Sequence, residues 1–209
     1  MKKFALCLMF LLCAGLFNQR TALAAPSEEA LSKSVQNYFA PLFAGLQAAA
    51  EQQPTVDNFR EVMKPFLADI DGFFGSTLLD SDFVIRKVYR RRNFLAVGYD
   101  LKKVRELDYF WDLMRKSPSP QLSEPGHGSL LQPRLIAMRY PIMQDGQLTG
   151  VVSLMIRTKA FLEATGLDQV DTYRIVCRGQ EAEAEGELGK DYRQITLQLP
   201  ANEWLIQYR

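Results

Sequence analysis

The alternation of apolar and polar positions is clearest from Arg134 to Ala164, where it predicts a strand, a tight turn, a second strand and the start of a helix. Ile136, Met138 and Tyr140 fall on one face of the first strand, and Leu135, Ala137 and Arg139 on the other, the period of a half-buried strand. Pro141 has no N–H for a ladder and belongs at a strand end or an edge. Asp145-Gly146 supplies the turn, because Gly takes positive φ without a steric cost. Val151 to Ile156 is almost continuously apolar, as a central strand would be, and Thr158 is an N-cap for a helix through Phe161 and Leu162.

Upstream the period is helical. Ser27 caps a helix whose first turn holds Glu28 and Glu29, and Leu31, Val35, Tyr38, Phe39, Leu42, Phe43 and Leu46 recur at helical spacing as far as Gln52. Pro41 interrupts that run and should kink it or mark a junction. Thr55 or Asp57 caps a second helix carrying Phe59, Val62, Met63, Phe66 and Leu67. The period then changes: residues 76–80 and 83–89 form two strands about a Ser81-Asp82 turn, and residues 94–99 continue as strand or loop. Leu101, Val104, Leu107, Phe110, Trp111 and Met114 restore helical spacing. Residues 117–133 are rich in proline and contain Gly126 and Gly128, which makes a loop long enough to be functional. After Gly166-Leu167 come a strand at 173–178, an acidic hairpin tip at 179–190, and strands at 195–199 and 203–208. The whole is an α+β chain, an antiparallel sheet with a long helix packed on it.

The first residues change the domain count. Lys2 and Lys3 precede an apolar run, Phe4 to Phe17, and Ala22-Leu23-Ala24 is a small-residue cleavage signal. Residues 1–24 are therefore read as a signal peptide cleaved after Ala24, and residues 25–209 as one exported, periplasmic domain; an uncleaved anchor is the alternative. Three of the 25 basic residues leave with the leader, so 22 face 24 acidic ones, a net of −2. That near-neutral balance argues against nucleic acid as a partner. Arg90, Arg91 and Arg92 form the one basic run, a solvated loop or a contact for an anionic ligand or lipid surface. Cys177 is the only cysteine left, so no internal disulfide forms and a buried structural thiol is expected.

The catalytic inventory is empty. There is no Gly-x-Ser-x-Gly, no phosphate-cradling glycine loop and no His-Glu-x-x-His. His127 is the single histidine, with no Cys or carboxylate cluster beside it, so no metal and no cofactor is expected. It reads as a loop residue, with a lid contact or pH sensor as the sharper reading.

The order of elements, together with a set of short motifs, resembles the extracytoplasmic PAS-like sensor modules called Cache domains. The carriers are Leu78-Leu79-Asp80-Ser81-Asp82, Asp108-Tyr109-Phe110, Leu122-Ser123-Glu124-Pro125, Arg139-Tyr140-Pro141-Ile142, the run from Asp145 to Val152, and Phe161-Leu162. Gly166-Leu167 and the run Leu199 to Trp204 look like the close of a CHASE domain, a related module. The resemblance implies a small-molecule pocket between the sheet, the middle helix and the long loop. Amino-acid-binding members carry an Arg two residues before the aromatic pair. Here Leu107 or Glu106 stands there and the nearest Arg is Arg105. Members also carry an Asp where Met155 aligns. Both departures point from an α-amino acid toward a carboxylate, or an apolar or aromatic compound.

The expected ligand contacts are Tyr109, Trp111, Arg139 and Tyr140, with Ser123 and His127 from the loop and Arg105 beside the helix. Trp111 is equally a core residue by spacing. Arg139 is either a solvated charge or an inward one, and an inward guanidinium needs a carboxylate from a ligand or from Asp108 or Glu106. The expected function is a periplasmic small-molecule-binding sensory domain, not an enzyme, that transmits occupancy to a membrane-bound sensor kinase or chemoreceptor. Membrane sensors of this family continue into a spanning helix and an output module. A free product ending at Arg209 would hand its shape change to a membrane partner. The alternatives are a non-binding interaction or dimerisation module whose pocket is filled by side chains, and a hydrolase. A weak homodimer through the 27–52 helix is a further expectation, since a helix of that length can leave apolar residues for a second copy.

Overall fold

A computed structural model of the chain describes residues 25–89, 96–126 and 133–209. The leader, the Arg90–Arg92 run and His127 lie outside the described residues. Helix α1 (Glu28–Glu51) opens the fold, with the Ser27 hydroxyl accepting from Ala30 N at 3.2 Å, and it continues through Pro41. Helix α2 (Phe59–Leu67) follows, but Asn58, not Thr55 or Asp57, occupies its N-cap. Thr55 and Asn58 are instead locked to each other: Asn58 Oδ1 accepts from Thr55 N at 2.7 Å, which spends the side chains on the turn before the helix.

The first sheet contains β1 (Phe73–Asp80), β2 (Ile85–Tyr89), β3 (Gln121–Leu122), β4 (Leu135–Gln144) and β5 (Gln147–Arg157), in the order β2-β1-β5-β4-β3, all antiparallel. Asp145 and Gly146, with φ of 51° and 76°, close the β4–β5 hairpin where the sequence places the turn. Pro141 lies within β4, not at its end. It is tolerated because β3 covers only Met138 and Arg139, so β4 is an edge at Pro141.

Both faces of this sheet are covered. Leu78, Ile136, Met138, Val152, Leu154 and Ile156 join the α1 side chains in the main core. Leu79, Ile85 and Val151 face the other way, onto Phe83, Trp111 and Met114. Trp111 and Met114 belong to α3 (Asp108–Lys116), which two short 3₁₀ turns, Leu101–Lys103 and Arg105–Leu107, precede.

Helix α4 (Thr158–Thr165) follows β5. Arg157, one residue earlier than expected, takes the N-cap position, and Gly166 ends the helix in the left-handed region. A second sheet then forms from β6 (Tyr173–Cys177), β7 (Gln180–Glu185), β8 (Arg193–Leu199) and β9 (Asn202–Tyr208), in the order β7-β6-β9-β8. The acidic stretch expected as a solvated tip is thus largely a strand, because Glu183 turns inward and finds Arg134 at 2.7 Å. Helix α1 packs on β4 and β5 of the first sheet and on β8 of the second. At about 1.5 Å per residue its 24 residues are long enough to serve both. Its apolar stripe, Leu31, Val35, Phe39, Leu42 and Leu46, is buried within the single chain.

Candidate ligand site

The α3-facing side of the first sheet carries an unexpected row. Gln121 on β3 pairs with Arg139 on β4, Arg139 with Ser153 on β5, and Ser153 with Thr77 on β1. Residues paired across strands share a face, so four polar side chains form one stripe across four strands. All four are at most 6% exposed. Thr77 and Ser153 share a hydrogen bond of 2.5 Å between their hydroxyls, and Gln121 Nε2 donates to Phe110 O at 2.8 Å. Gln121 Oε1 and Arg139 Nη1 are buried and make no hydrogen bond to any described residue.

Helix α3 roofs the stripe with aromatic rings. The Arg139 guanidinium carbon lies 4.8 Å from the Trp111 ring centroid and 5.2 Å from that of Phe110. Trp111 is fixed by stacking on Phe83 at 4.6 Å and by donating from Nε1 to Leu101 O at 3.2 Å. Burial pushes the Arg139 guanidinium down to about 10, and the negative charge of Glu124 works against that shift. Arg139 therefore stays charged at neutral pH. Its electrostatic counterpart is Glu124, not Asp108 or Glu106, which are both exposed.

Glu124 also ties the stripe to the second sheet. Its Oε1 accepts from Arg178 Nε at 2.5 Å. Arg178 in turn lies 4.6 Å from the Tyr109 ring centroid and 5.2 Å from that of Phe110. A cleft of about 340 Å³ is lined in part by Glu106, Glu124, Cys177 and Arg178. Cys177 is buried and its thiol is held well above its ordinary range, by burial first and by Glu124 second, so it is no nucleophile.

The structure brings Arg139 and Trp111 together and separates them from the other expected contacts. Tyr109 is 44% exposed, stacks with Arg178, and donates to Ala201 O at 3.3 Å. Tyr140 faces the α1 core, because neighbours on a strand point to opposite faces and Arg139 takes the other one. Ser123 spends its hydroxyl on the backbone, accepting from Ala137 N at 2.8 Å and donating to Glu124 O at 3.1 Å. Arg105 is exposed on its 3₁₀ turn. His127 lies outside the described residues. Sequence reasoning missed Gln121, Glu124, Ser153, Thr77 and Arg178. A signal existed for Thr77 and Ser153, two polar residues inside otherwise apolar strands. None existed for Arg178, which only the second sheet brings near.

No protein-family profile matches the sequence, and no curated protein does. Solved structures do match in three dimensions. An extracellular ligand binding receptor from Desulfohalobium retbaense DSM5692 aligns with a TM-score of 0.63 at 18% identity, over 86% of this chain and 39% of that one. The ligand-binding domain of the Pseudomonas aeruginosa PAO1 amino acid chemoreceptor PctB, in complex with L-Arg, gives 0.63 at 15% identity over 87% and 90%. The sensory domain of the Campylobacter jejuni chemoreceptor Tlp3, with isoleucine bound, gives 0.59 at 12% over 95% and 94%. The chain thus spans 39% of the first of these and at least 90% of the other two. At such identities the likeness is one of fold: this chain has the α+β, PAS-like fold of those ligand-binding and sensory domains.

Proposed function

We propose that this protein is a periplasmic sensory domain that binds a small carboxylate and passes its occupancy to a membrane signalling partner. One observation carries the reading: a charged guanidinium, 5% exposed, stands in a buried polar stripe with a donor that no described residue accepts. A buried charge with an unmet donor is costly, and an anionic ligand is a partner that would offset it. The fold supports the same class, since the similar structures are ligand-binding and sensory domains. Met155 lies on the stripe's face, two residues from Ser153, and offers an ammonium no counter-charge. The ligand class this reading favours is a carboxylate, with an uncharged residue at position 155 where a counter-charge for an α-ammonium group would stand.

A second reading rests on an observation of its own. Phe110, Trp111 and Met114 are at most 2% exposed and fill the space under α3, as in an interaction module that binds nothing there. The two readings part on a thermal-shift screen of mono- and dicarboxylates against the wild type and Arg139→Met. A ligand that binds only the native state raises its melting temperature. The sensory reading expects at least one carboxylate to stabilise the wild type and not the variant. Stabilisation that survives the substitution removes Arg139 from the site, and a screen without any stabilising compound favours the interaction module.

A further inference from the structure

A large opening lies away from the stripe, on the α1 side, where α1, the end of α2 and α4 meet. Its volume is about 990 Å³, at the upper end of the range of small-molecule pockets. The walls are built by close approaches. A Cβ on Gly45 would lie 2.0 Å from the Phe66 ring, so the ring seats directly on the α1 backbone. A Cβ on Gly72 would lie 2.2 Å from Ala160 Cβ, which brings the turn before β1 onto α4.

The polar groups around this opening have one character. Pro41 carries no N–H, so the carbonyl of Asn37, four residues before it, lacks its regular helical donor, and both residues line the cavity. Tyr38 is held by edge-on contacts to Phe39 and Phe161 at 5.3 and 5.6 Å, and its buried hydroxyl has no hydrogen-bond partner among the described residues. Asp69 and Asp71 line the rim, and neither has an ion pair with a described residue. Two cations also line the cavity, and both are engaged: Lys159 with Glu163 at 3.6 Å, and Arg157 with Phe73 O at 3.4 Å. The uncommitted groups of the lining are thus a carbonyl and two carboxylates, which share it with the rings of Tyr38 and Phe66. Acceptors and negative charge beside aromatic faces recognise a cation.

We infer that this cavity is a second ligand site, which takes an organic ammonium carried on an apolar or aromatic body. The inference does not rest on the carboxylate reading of the stripe, and its test uses different residues. The probe is 2-phenylethylammonium, with 3-phenylpropanoate as the anion of similar size, each titrated calorimetrically into the full chain. The variants are Asp69→Asn with Asp71→Asn, which alter only exposed side chains, and Arg139→Met as a control. The expected result is saturable binding of the ammonium and not of the anion. Affinity should fall about tenfold or more in the double variant, equivalent to ~1.4 kcal/mol, and stay unchanged in the control. Amide shifts clustered at Tyr38, Gly72 and Ala160 would locate the bound probe. Equal affinity in the double variant, equal binding of the anion, or no saturation at millimolar probe overturns the inference.

Discussion

At the scale of single residues, Arg139 holds a buried charge whose Nη1 donor meets no described residue, and that has a consequence for stability. A buried ion is retained at a cost, and an apolar isostere relieves it. Arg139→Met keeps the stem that packs under Trp111 and loses the unpaired donor and the cation–π contact. The apo variant is expected within about 1 kcal/mol of the wild type or above it in denaturant unfolding. A loss of about 3–5 kcal/mol would instead reveal a buried protein partner for the guanidinium. Tyr38 and Tyr173 make the alkaline counterpart. Burial pushes each phenol from 10.0 up to about 12, with further upward effects from Asp71 on Tyr38 and from Glu183 on Tyr173. The folded state thus holds protons that the unfolded chain gives up. Their contribution is fully present below pH 10 and is lost as pH rises toward 12. Tyr38→Phe removes one of these groups together with a partnerless hydroxyl. It should raise stability near neutral pH by about 1 kcal/mol and flatten the alkaline decline, read from denaturant midpoints across that range. An unchanged alkaline limb would show that Tyr38 titrates normally. At this scale the sequence singled out Arg139 because a charge inside an apolar strand is conspicuous. It did not single out Gln121 or Glu124, because loop residues give no period by which to predict their direction.

Elements were legible where one periodicity runs long enough. The β4–β5 hairpin and α1 match their sequence patterns to within a few residues, since each places an apolar face on a continuous core. β7 was not legible. Gln180 to Glu185 alternates acidic and alanine positions, and its strand depends on pairing with β6 and on Arg134 meeting Glu183 from a distant part of the chain. β3 has only two residues and owes its place to β4. The junction between elements is as demanding as the elements themselves. α4 reaches the start of β1 only because residue 72 has no side chain and takes φ of 71°. Gly72→Ala adds backbone strain and a clash with Ala160, and is expected to cost about 1–3 kcal/mol of stability. Double substitution with Ala160→Gly should recover the part due to the clash and leave the part due to φ. Full recovery in the double variant would show that the left-handed backbone carries no cost here.

Across the whole molecule, two sheets share one helix and meet through a small set of polar links. Leu122 N donates to Pro200 O at 2.8 Å, and Asn202 Nδ2 returns a hydrogen bond to Leu122 O at 3.1 Å. Beside them Glu124 holds Arg178, and Arg178 lies over the rings of Tyr109 and Phe110. Phe110 is therefore a neighbour of both arginines, Arg139 in the stripe of the first sheet and Arg178 at the edge of the second. An anion on Arg139 would change the charge that Glu124 and Phe110 experience, and Arg178 is the group of the second sheet that touches both. Coupling needs an element with two arrangements that both sites bias, and α3 with its aromatic pair is placed to be that element. The expectation concerns hydrogen exchange. In the wild type a stabilising carboxylate should slow exchange in β4 and β5 and also in β6 and β9. In Arg178→Ala the first effect should persist and the second should fade, while carboxylate affinity changes by less than about tenfold, ~1.4 kcal/mol. Some stability will be lost, since Glu124 is buried and gives up a charged partner, on the order of 1–3 kcal/mol. That loss is measured in the absence of ligand and subtracts out of the ligand-dependent difference. If protection in β6 and β9 responds to ligand as strongly in Arg178→Ala as in the wild type, the signal crosses by another route, and helix α1, which packs on both sheets, becomes the conduit to test.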